Sequence, residues 1–307
     1  MEANRTPHGP TNGRESLSFG APLRLGGQTF GPRDLVVMAI VNRTPDSFYD
    51  RGATFAEAAA LRAVDTAVNE GARIVDIGGV KAGPGADVDV AEEIRRTVPT
   101  VAAVRSRFPD LVISVDTWRA EVAREAVYAG ADLINDTWAG ADPGLAVVAA
   151  DTGAGLVCSH AGGLRPRTRP HRVSFDDVVG EVVETVTALA RRAADVGVRP
   201  DGILVDPAHD FGKATRHSLE LTRRTDALAA TGWPVLVALS NKEFVGETLD
   251  VPLEGRLTGT LAATAISAWL GARVFRAHQV RPTCEVLDMV SAVRGDRPPA
   301  VARRGLA

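Results

Sequence analysis

Leu35–Asp50 reads LVVMAIVNRTPDSFYD. Seven apolar residues, Leu35 to Val41, follow the charged pair Arg33-Asp34, and the chain then turns polar at Asn42, Arg43, Thr44, Pro45, Asp46 and Ser47. An apolar run without alternation is the pattern of a strand buried on both faces. The polar break places Asn42 and Asp46 at the C-terminal end of that strand, the end at which parallel α/β sheets carry their ligands.

The same unit recurs along the chain. A helix over Phe55–Glu70 keeps Ala60, Leu61, Val64 and Val68 on one stripe and stops at Gly71. Strand Arg73–Ile77 ends at Gly78-Gly79, and a helix runs from Ala91 to Phe108. Strand Leu111–Val115 ends at Asp116-Thr117, with helix 118–129 behind it, and short strand Leu133-Ile134 ends at Asn135-Asp136, with helix 143–151. Strand Gly155–Cys158 ends at Ser159-His160; a basic loop, 161–173, leads to helix Phe175–Val196. Strand Ile203–Val205 ends at Asp206-Pro207, followed by helix 215–230; strand Val235–Leu239 ends at Ser240-Asn241-Lys242, followed by helix 256–270. Strand Ala272–Phe275 ends at Arg276-Ala277-His278, and the last helix covers about 282–294. Eight strand–helix units exceed the roughly five or six strands of an open doubly wound sheet and predict a closed (β/α)8 TIM barrel. Pro22–Phe30, folded about Gly26-Gly27, predicts a short N-terminal β-hairpin capping the barrel bottom. Residues 1–20 are expected to be disordered, 21–296 to form the barrel and 297–307 to be a flexible tail.

The totals narrow the function classes. Of 307 residues, 45% are hydrophobic and 24% charged, as in ordinary globular domains, and the net charge of −3 offers no electrostatic case for nucleic acid. The densest basic cluster, Arg165–Arg172, is a single loop. The 2 cysteines, Cys158 and Cys284, have neither a nearby partner nor metal-ligand spacing, and read as buried reduced thiols. No run of ~18 apolar residues and no charged-then-apolar leader is present, so a cytoplasmic, soluble protein is expected.

A closed barrel would bring the strand-end polar residues Asn42, Asp116, Asn135, Asp136, His160, Asp206, Lys242, Arg276 and His278 around one mouth. Asp136, Ser240 and Thr117 each read equally well as helix N-caps, and His160 alone reads as a core histidine. Caps do not call for Lys, Arg and His at the same rim, so the set as a whole reads as a site. Asp116, Asn135, Asp206 and Lys242 suit a flat heterocycle bearing amino and lactam groups. Arg276, His278 and Asn42 suit phosphate oxygens. A ring ligand with a phosphorylated arm joins the two halves.

Over residues 22–295 the chain resembles dihydropteroate synthases. The matches are Asn42-Arg-Thr-Pro-Asp-Ser-Phe48, Ile113-Ser-Val-Asp-Thr117, Leu133-Ile-Asn-Asp136, Asp206-Pro207 with Phe211-Gly-Lys213, Ser240-Asn-Lys242 and Arg276-Ala-His278. The resemblance implies a TIM barrel, a homodimer, and a folate-pathway reaction that joins 6-hydroxymethyl-7,8-dihydropterin pyrophosphate to p-aminobenzoate with Mg²⁺, releasing pyrophosphate. It implies that Asp116, Asn135, Asp206 and Lys242 hold the pterin, with Asp116, Asp206 and Lys242 catalytic. It also implies that Asn42, Arg276 and His278 hold pyrophosphate, with Asn42 a metal ligand.

The departures are equally specific. Where the family reads Gly-Gly-Glu-Ser-Thr-Arg-Pro-Gly, this chain reads Gly78-Gly79-Val80-Lys81-Ala82-Gly83-Pro84-Gly85. The Thr and Arg of the acceptor loop are thus Ala82 and Gly83; losing a charge-assisted partner for a carboxylate costs ~1.5–3 kcal/mol. Lys81 offers a cation from a neighbouring position, without the bidentate fork of Arg. Asp-Pro-Gly-x-Gly-Phe has become Asp206-Pro-Ala-His-Asp-Phe211, which puts a new His209/Asp210 pair at the mouth or in a surface turn. A Met-like apolar position is Ser159, and the Asp after His is Gln279. This pattern resembles the divergent second branch of the family in actinobacteria, and implies weak or lost synthase activity. The alternatives are a pterin-family barrel that uses another acceptor or binds without turnover, and a relative of the pterin-binding methyltransferases.

Overall fold

The computed structural model describes residues 20–44, 54–168 and 173–304. Strands β1 (Leu23–Leu25) and β2 (Gln28–Phe30) pair antiparallel across a turn in which Gly26 takes φ 54°. The other strands are β3 (Val36–Asn42), β4 (Ile74–Gly78), β5 (Val112–Asp116), β6 (Leu133–Asp136), β7 (Gly155–Ser159), β8 (Ile203–Asp206), β9 (Val235–Val237) and β10 (Ala272–Ala277). All are parallel, and they close in the order β10-β3-β4-β5-β6-β7-β8-β9. The helices are α1 (Glu57–Asn69), α2 (Val90–Arg107), α3 (Ala120–Tyr128), α4 (Gly144–Thr152), α5 (Val178–Val196), α6 (Thr215–Arg223), α7 (Thr225–Ala229), α8 (Glu243–Leu249), α9 (Leu257–Trp269) and α10 (Val280–Arg294). The TIM barrel with its N-terminal hairpin is therefore the fold. No described helix is long and apolar enough to cross a membrane.

Alternation along each strand sorts the interior into layers. At the bottom, Val36, Met38, Ile74, Val112, Leu133, Val157, Leu204, Leu236 and Val274 converge on Leu23, Leu25 and Phe30 of the hairpin. The hairpin is thus a hydrophobic plug, as its sequence predicts. Arg273 pins it by donating to the carbonyls of Ala21 (2.7 Å), Phe30 (3.2 Å) and Gly31 (2.6 Å). Two residues further along the strands, the inward positions become Asp76, Ser114, Asn135, Ser159, Asp206 and Arg276. The tube is oily below and polar above, and that gradient gives the site its floor.

Two elements differ from the expected ones. The single helix expected over 215–230 breaks at Arg224 (φ −112°, ψ 30°) into α6 and α7. Thr225 Oγ1 donates back to the carbonyls of Leu221 and Thr222, a competition with the helical ladder that bends helices. Between β9 and α9 stands the short α8, too brief for any period to show. Its Gly246 is a close-approach position: a Cβ there would lie 2.5 Å from Arg256 Nε. Arg256 passes over it to donate to the Asn241 carbonyl at 2.8 Å, bracing a peptide whose Asn241 has φ 57°.

Candidate functional site

The mouth is built around one arginine. Arg276, near the end of β10, donates from Nε to Asp76 Oδ2 (2.6 Å) and from Nη2 to Asp116 Oδ2 (2.8 Å). Asp76, fully buried on β4, also accepts from Ser114 Oγ (2.6 Å) and Asn135 Nδ2 (3.0 Å). Burial works against the charge on Arg276, but Asp76 and Asp116 outweigh it and raise its pKa. Burial likewise pushes the Asp116 carboxyl up, against the pull of Arg276. Asp76 is absent from the residues singled out in the sequence because it lies inside a strand rather than at its end. A signal was available: in an inward row of Ile74, Asp76 and Gly78, a buried carboxylate demands a cation.

On the opposite arc, Asp206 Oδ1 accepts from the Ala208 N–H at 2.7 Å. Lys242 Nζ donates to the His209 carbonyl and lies 4.6 Å from the centre of the Phe211 ring. Phe211 in turn meets Trp138 edge-on at 5.4 Å, forming an aromatic wall. Burial pushes Asp206 up and Lys242 down; each is partly restored by the other's charge. Buried Lys213 binds the turn from behind, donating to the carbonyls of His160 (2.9 Å), Ala208 (3.2 Å) and Phe211 (2.8 Å).

The third arc joins β3, β9 and β10. Strand register aligns Asn42 with Gly78 and Gly78 with Asp116. Ser240 Oγ accepts from the His278 N–H at 3.1 Å and lies 3.0 Å from His278 Nδ1. Burial holds the His278 imidazole down to about 3, with Arg276 and Lys242 adding repulsion. His278 is therefore a neutral group at neutral pH. Gln279 Oε1 accepts from Asn241 Nδ2 at 3.2 Å. Asp46, with residues 45–48 of the Asn42–Phe48 stretch, lies outside the described residues.

Asn42, Asp116, Asn135, Asp206, Lys242, Arg276 and His278 thus occupy one end of the barrel, and two other rim residues turn away from it. Asp136 accepts from the Trp138 N–H (2.9 Å) and the Gly140 N–H (2.6 Å), a turn cap. His160 packs behind the rim against Phe175, 2% exposed. Among the described residues, no three His, Cys, Asp or Glu side chains group to hold a metal ion. In the loop after β4, Arg96 Nη1 donates to the Gly79 carbonyl at 3.0 Å, while Lys81 has no hydrogen-bond or ion-pair partner among the described residues.

A family model described as pterin binding enzyme matches residues 38–278, which span the barrel strands and this rim. The chain belongs to the pterin binding enzyme family. Within that family, an inactive dihydropteroate synthase 2 of Mycobacterium leprae (strain TN) is 61% identical over 276 residues, covering 89% of this chain and 95% of the relative. The structure of Yersinia pestis dihydropteroate synthase with a sulfonamide drug superposes with a TM-score of 0.84 at 34% identity, covering 90% of this chain and 100% of that one. Xanthomonas albilineans dihydropteroate synthase in complex with 7,8-dihydropteroate superposes with a TM-score of 0.78 at 34% identity, covering 92% and 100% of the two chains.

Two departures from the family pattern acquire a physical meaning here. Ala208 (φ 50°) and Asp210 (φ 67°) keep the left-handed backbone that the glycines of the pattern would adopt without strain. Asp210 is compensated by Ser218 Oγ (3.1 Å) and the Phe244 N–H (3.3 Å). Ala208 has backbone hydrogen bonds but no polar side chain to offset the strain, and Ala208→Gly is expected to stabilise the fold by about 0.5–1 kcal/mol in urea unfolding. No gain would remove strain at this turn. His209 is not in the mouth: it is fully buried, 3.2 Å from Thr222 Oγ1 and stacked on Phe244. The turn points its carbonyl, not its ring, toward Lys242.

His160 supplies a pH test. Burial, then Lys213, hold its pKa down to about 3. Glu181 lies 3.5 Å away but is half exposed, and burial wins. The unfolded chain takes up this proton near pH 6.5, so the contribution is intact above that value and is lost progressively as pH falls toward 3. His160→Gln should flatten the acid decline by about 1.4 kcal/mol per pH unit below 6.5. Urea midpoints of both proteins at pH 7 and pH 5 measure it, and parallel declines would contradict a neutral His160.

Proposed function

We propose that the barrel mouth binds a 6-hydroxymethyl-7,8-dihydropterin pyrophosphate-type ligand, and that condensation with p-aminobenzoate is weak or lost. The observation that carries this reading is the convergence of Asp116, Asn135, Asp206 and Lys242 on a floor braced by Asp76 and Arg276, beside a loop in which Ala82 and Gly83 replace the Thr and Arg of the family pattern. The first four would hold the pterin by hydrogen bonds along the edges of its fused rings. His278 and Nη1 of Arg276 would meet pyrophosphate oxygens.

Bond breaking would separate the pterin methylene from the pyrophosphate oxygen, with the electron pair leaving on pyrophosphate. Asp116 and Asp206 would stabilise the positive charge on the pterin, and Arg276 and His278 the departing anion. Asn42 would hold Mg²⁺ through its amide oxygen, with the remaining ligands from pyrophosphate and water; when bound, the ion neutralises leaving-group charge. A rim with one amide oxygen at β3, and no carboxylate trio among the described residues, suits an ion that arrives with its substrate.

The 7,8-dihydropteroate named for the Xanthomonas structure supports the pterin half, and the inactive designation of the Mycobacterium leprae relative supports the weakened acceptor half. A homodimer is supported by exposed Ile266 and Trp269 on α9 beside Met289 and Val293 on α10. A second reading, turnover with another acceptor, is favoured by the joint changes at 80–83 and 208–210.

Pyrophosphate release measured with and without p-aminobenzoate tests the proposal. Little or no acceptor-dependent release is expected, alongside measurable pterin binding; full synthase turnover would defeat it. Asp116→Asn should weaken pterin binding at least ~10-fold, since a buried carboxylate acceptor is lost. Unchanged affinity by titration calorimetry would remove Asp116 from the site.

A further inference from the structure

Two buried polar atoms on neighbouring strands face the barrel interior without a hydrogen-bond partner: Asn135 Oδ1 and Ser159 Oγ. Asn135 lies one inward step above Leu133 on β6, and Ser159 one above Val157 on β7, where Leu133 and Val157 belong to the apolar plug. Strands β6 and β7 pair directly, and Ser159 is level with Asp206 on β8. Ser159 is 0% and Asn135 1% exposed.

The orientation of the Asn135 amide is set by its neighbour. Its Nδ2 donates to Asp76 Oδ2 at 3.0 Å, on a carboxylate that also accepts from Ser114 and Arg276. Oδ1 must therefore turn away from Asp76. Buried polar groups of this kind are normally satisfied in the functional state. Asn135 is level with Val157, and Ser159 stands one inward step further along β7, so an acceptor and a hydroxyl follow one another up the wall; this order complements a lactam edge, with a ring N–H donating to Asn135 Oδ1 and the next ring oxygen accepting from the Ser159 hydroxyl.

We infer that Asn135 Oδ1 and Ser159 Oγ form a subsite selecting a pterin with an N–H/C=O lactam on its pyrazine ring. The inference rests on the pterin reading of the mouth and extends it to the ligand's oxidation pattern. A 7,8-dihydropterin offers the ring N–H but follows it with a methylene, which leaves the Ser159 hydroxyl unpaired. A 7-oxopterin supplies both groups. Asp76 acts as a positioning residue through Asn135, and Ser159 as the specificity-determining residue.

The test is titration calorimetry with isoxanthopterin, a 7-oxopterin, and with 6-hydroxymethyl-7,8-dihydropterin. It uses the full chain, Ser159→Ala and Asp206→Asn. Wild-type protein is expected to favour the 7-oxopterin by about five- to tenfold, the effect of one added neutral hydrogen bond. Ser159→Ala should abolish that preference through an about five- to tenfold loss of 7-oxopterin affinity. Asp206→Asn should weaken both ligands. A wild-type protein that binds the dihydropterin without favouring the 7-oxopterin overturns the subsite and leaves the pterin reading standing. A preference that survives Ser159→Ala, or binding indifferent to Asp206→Asn, also overturns it. Binding of neither ligand overturns the pterin reading and the subsite together.

Discussion

Arg276→Met is expected to destabilise the fold by about 3–5 kcal/mol, the usual cost of removing one partner from a buried ion pair. Asp76 is fully buried and would lose the cation 2.6 Å from its Oδ2, and Asp116 the guanidinium nitrogen at 2.8 Å. Ser114 and Asn135 would still donate to Asp76, but two neutral hydrogen bonds do not replace a full charge. The cost falls on the abandoned carboxylates rather than on the arginine. Asp76→Asn should therefore recover much of the loss when added to Arg276→Met, because the amide is neutral. A double-mutant cycle in urea isolates this coupling. If Arg276→Met costs under ~1 kcal/mol, or the two changes simply add, the buried bridge does not organise the floor.

Replacing Val80–Gly83 with Glu-Ser-Thr-Arg should raise synthase activity by ~10–150-fold, the equivalent of one recovered charge-assisted contact to the acceptor carboxylate. The loop can accept the change. An added Cβ at Gly83 would meet nothing within 4 Å except the flexible end of Lys81, at 3.8 Å. At the other end of the loop Gly79 must remain, since a Cβ there would lie 2.7 Å from Thr97 Cγ2. The graft thus begins after a fixed point and extends into open space. Steady-state turnover with both half-substrates measures the effect. Absent activity with intact pterin binding would move the lesion to the β8 turn, where Ala208 and Asp210 stand.

The barrel was legible because its determinants are local. Apolar runs such as Leu35–Val41 and the helical stripe Val178, Val182, Val186 carry their own period, and a polar break marks the mouth end of each strand. From those breaks alone Asn42, Asp116, Asn135, Asp206, Lys242, Arg276 and His278 could be assigned to one rim. The short α8 and the break at Arg224 left no such trace, since one is shorter than a readable period and the other depends on threonine back-bonding.

What the sequence determined by itself was therefore the fold, its polarity, and which strand ends meet. The tertiary structure decided which groups pair, and which way each side chain turns at the rim. Asp76 finds its cation 200 residues away, across the closed tube. His209 turns away from the mouth against Thr222 and Phe244, and His160 packs behind the rim against Phe175. Periodicity belongs to the local chain, whereas charge pairing and side-chain burial depend on distances through space that only the closed barrel establishes.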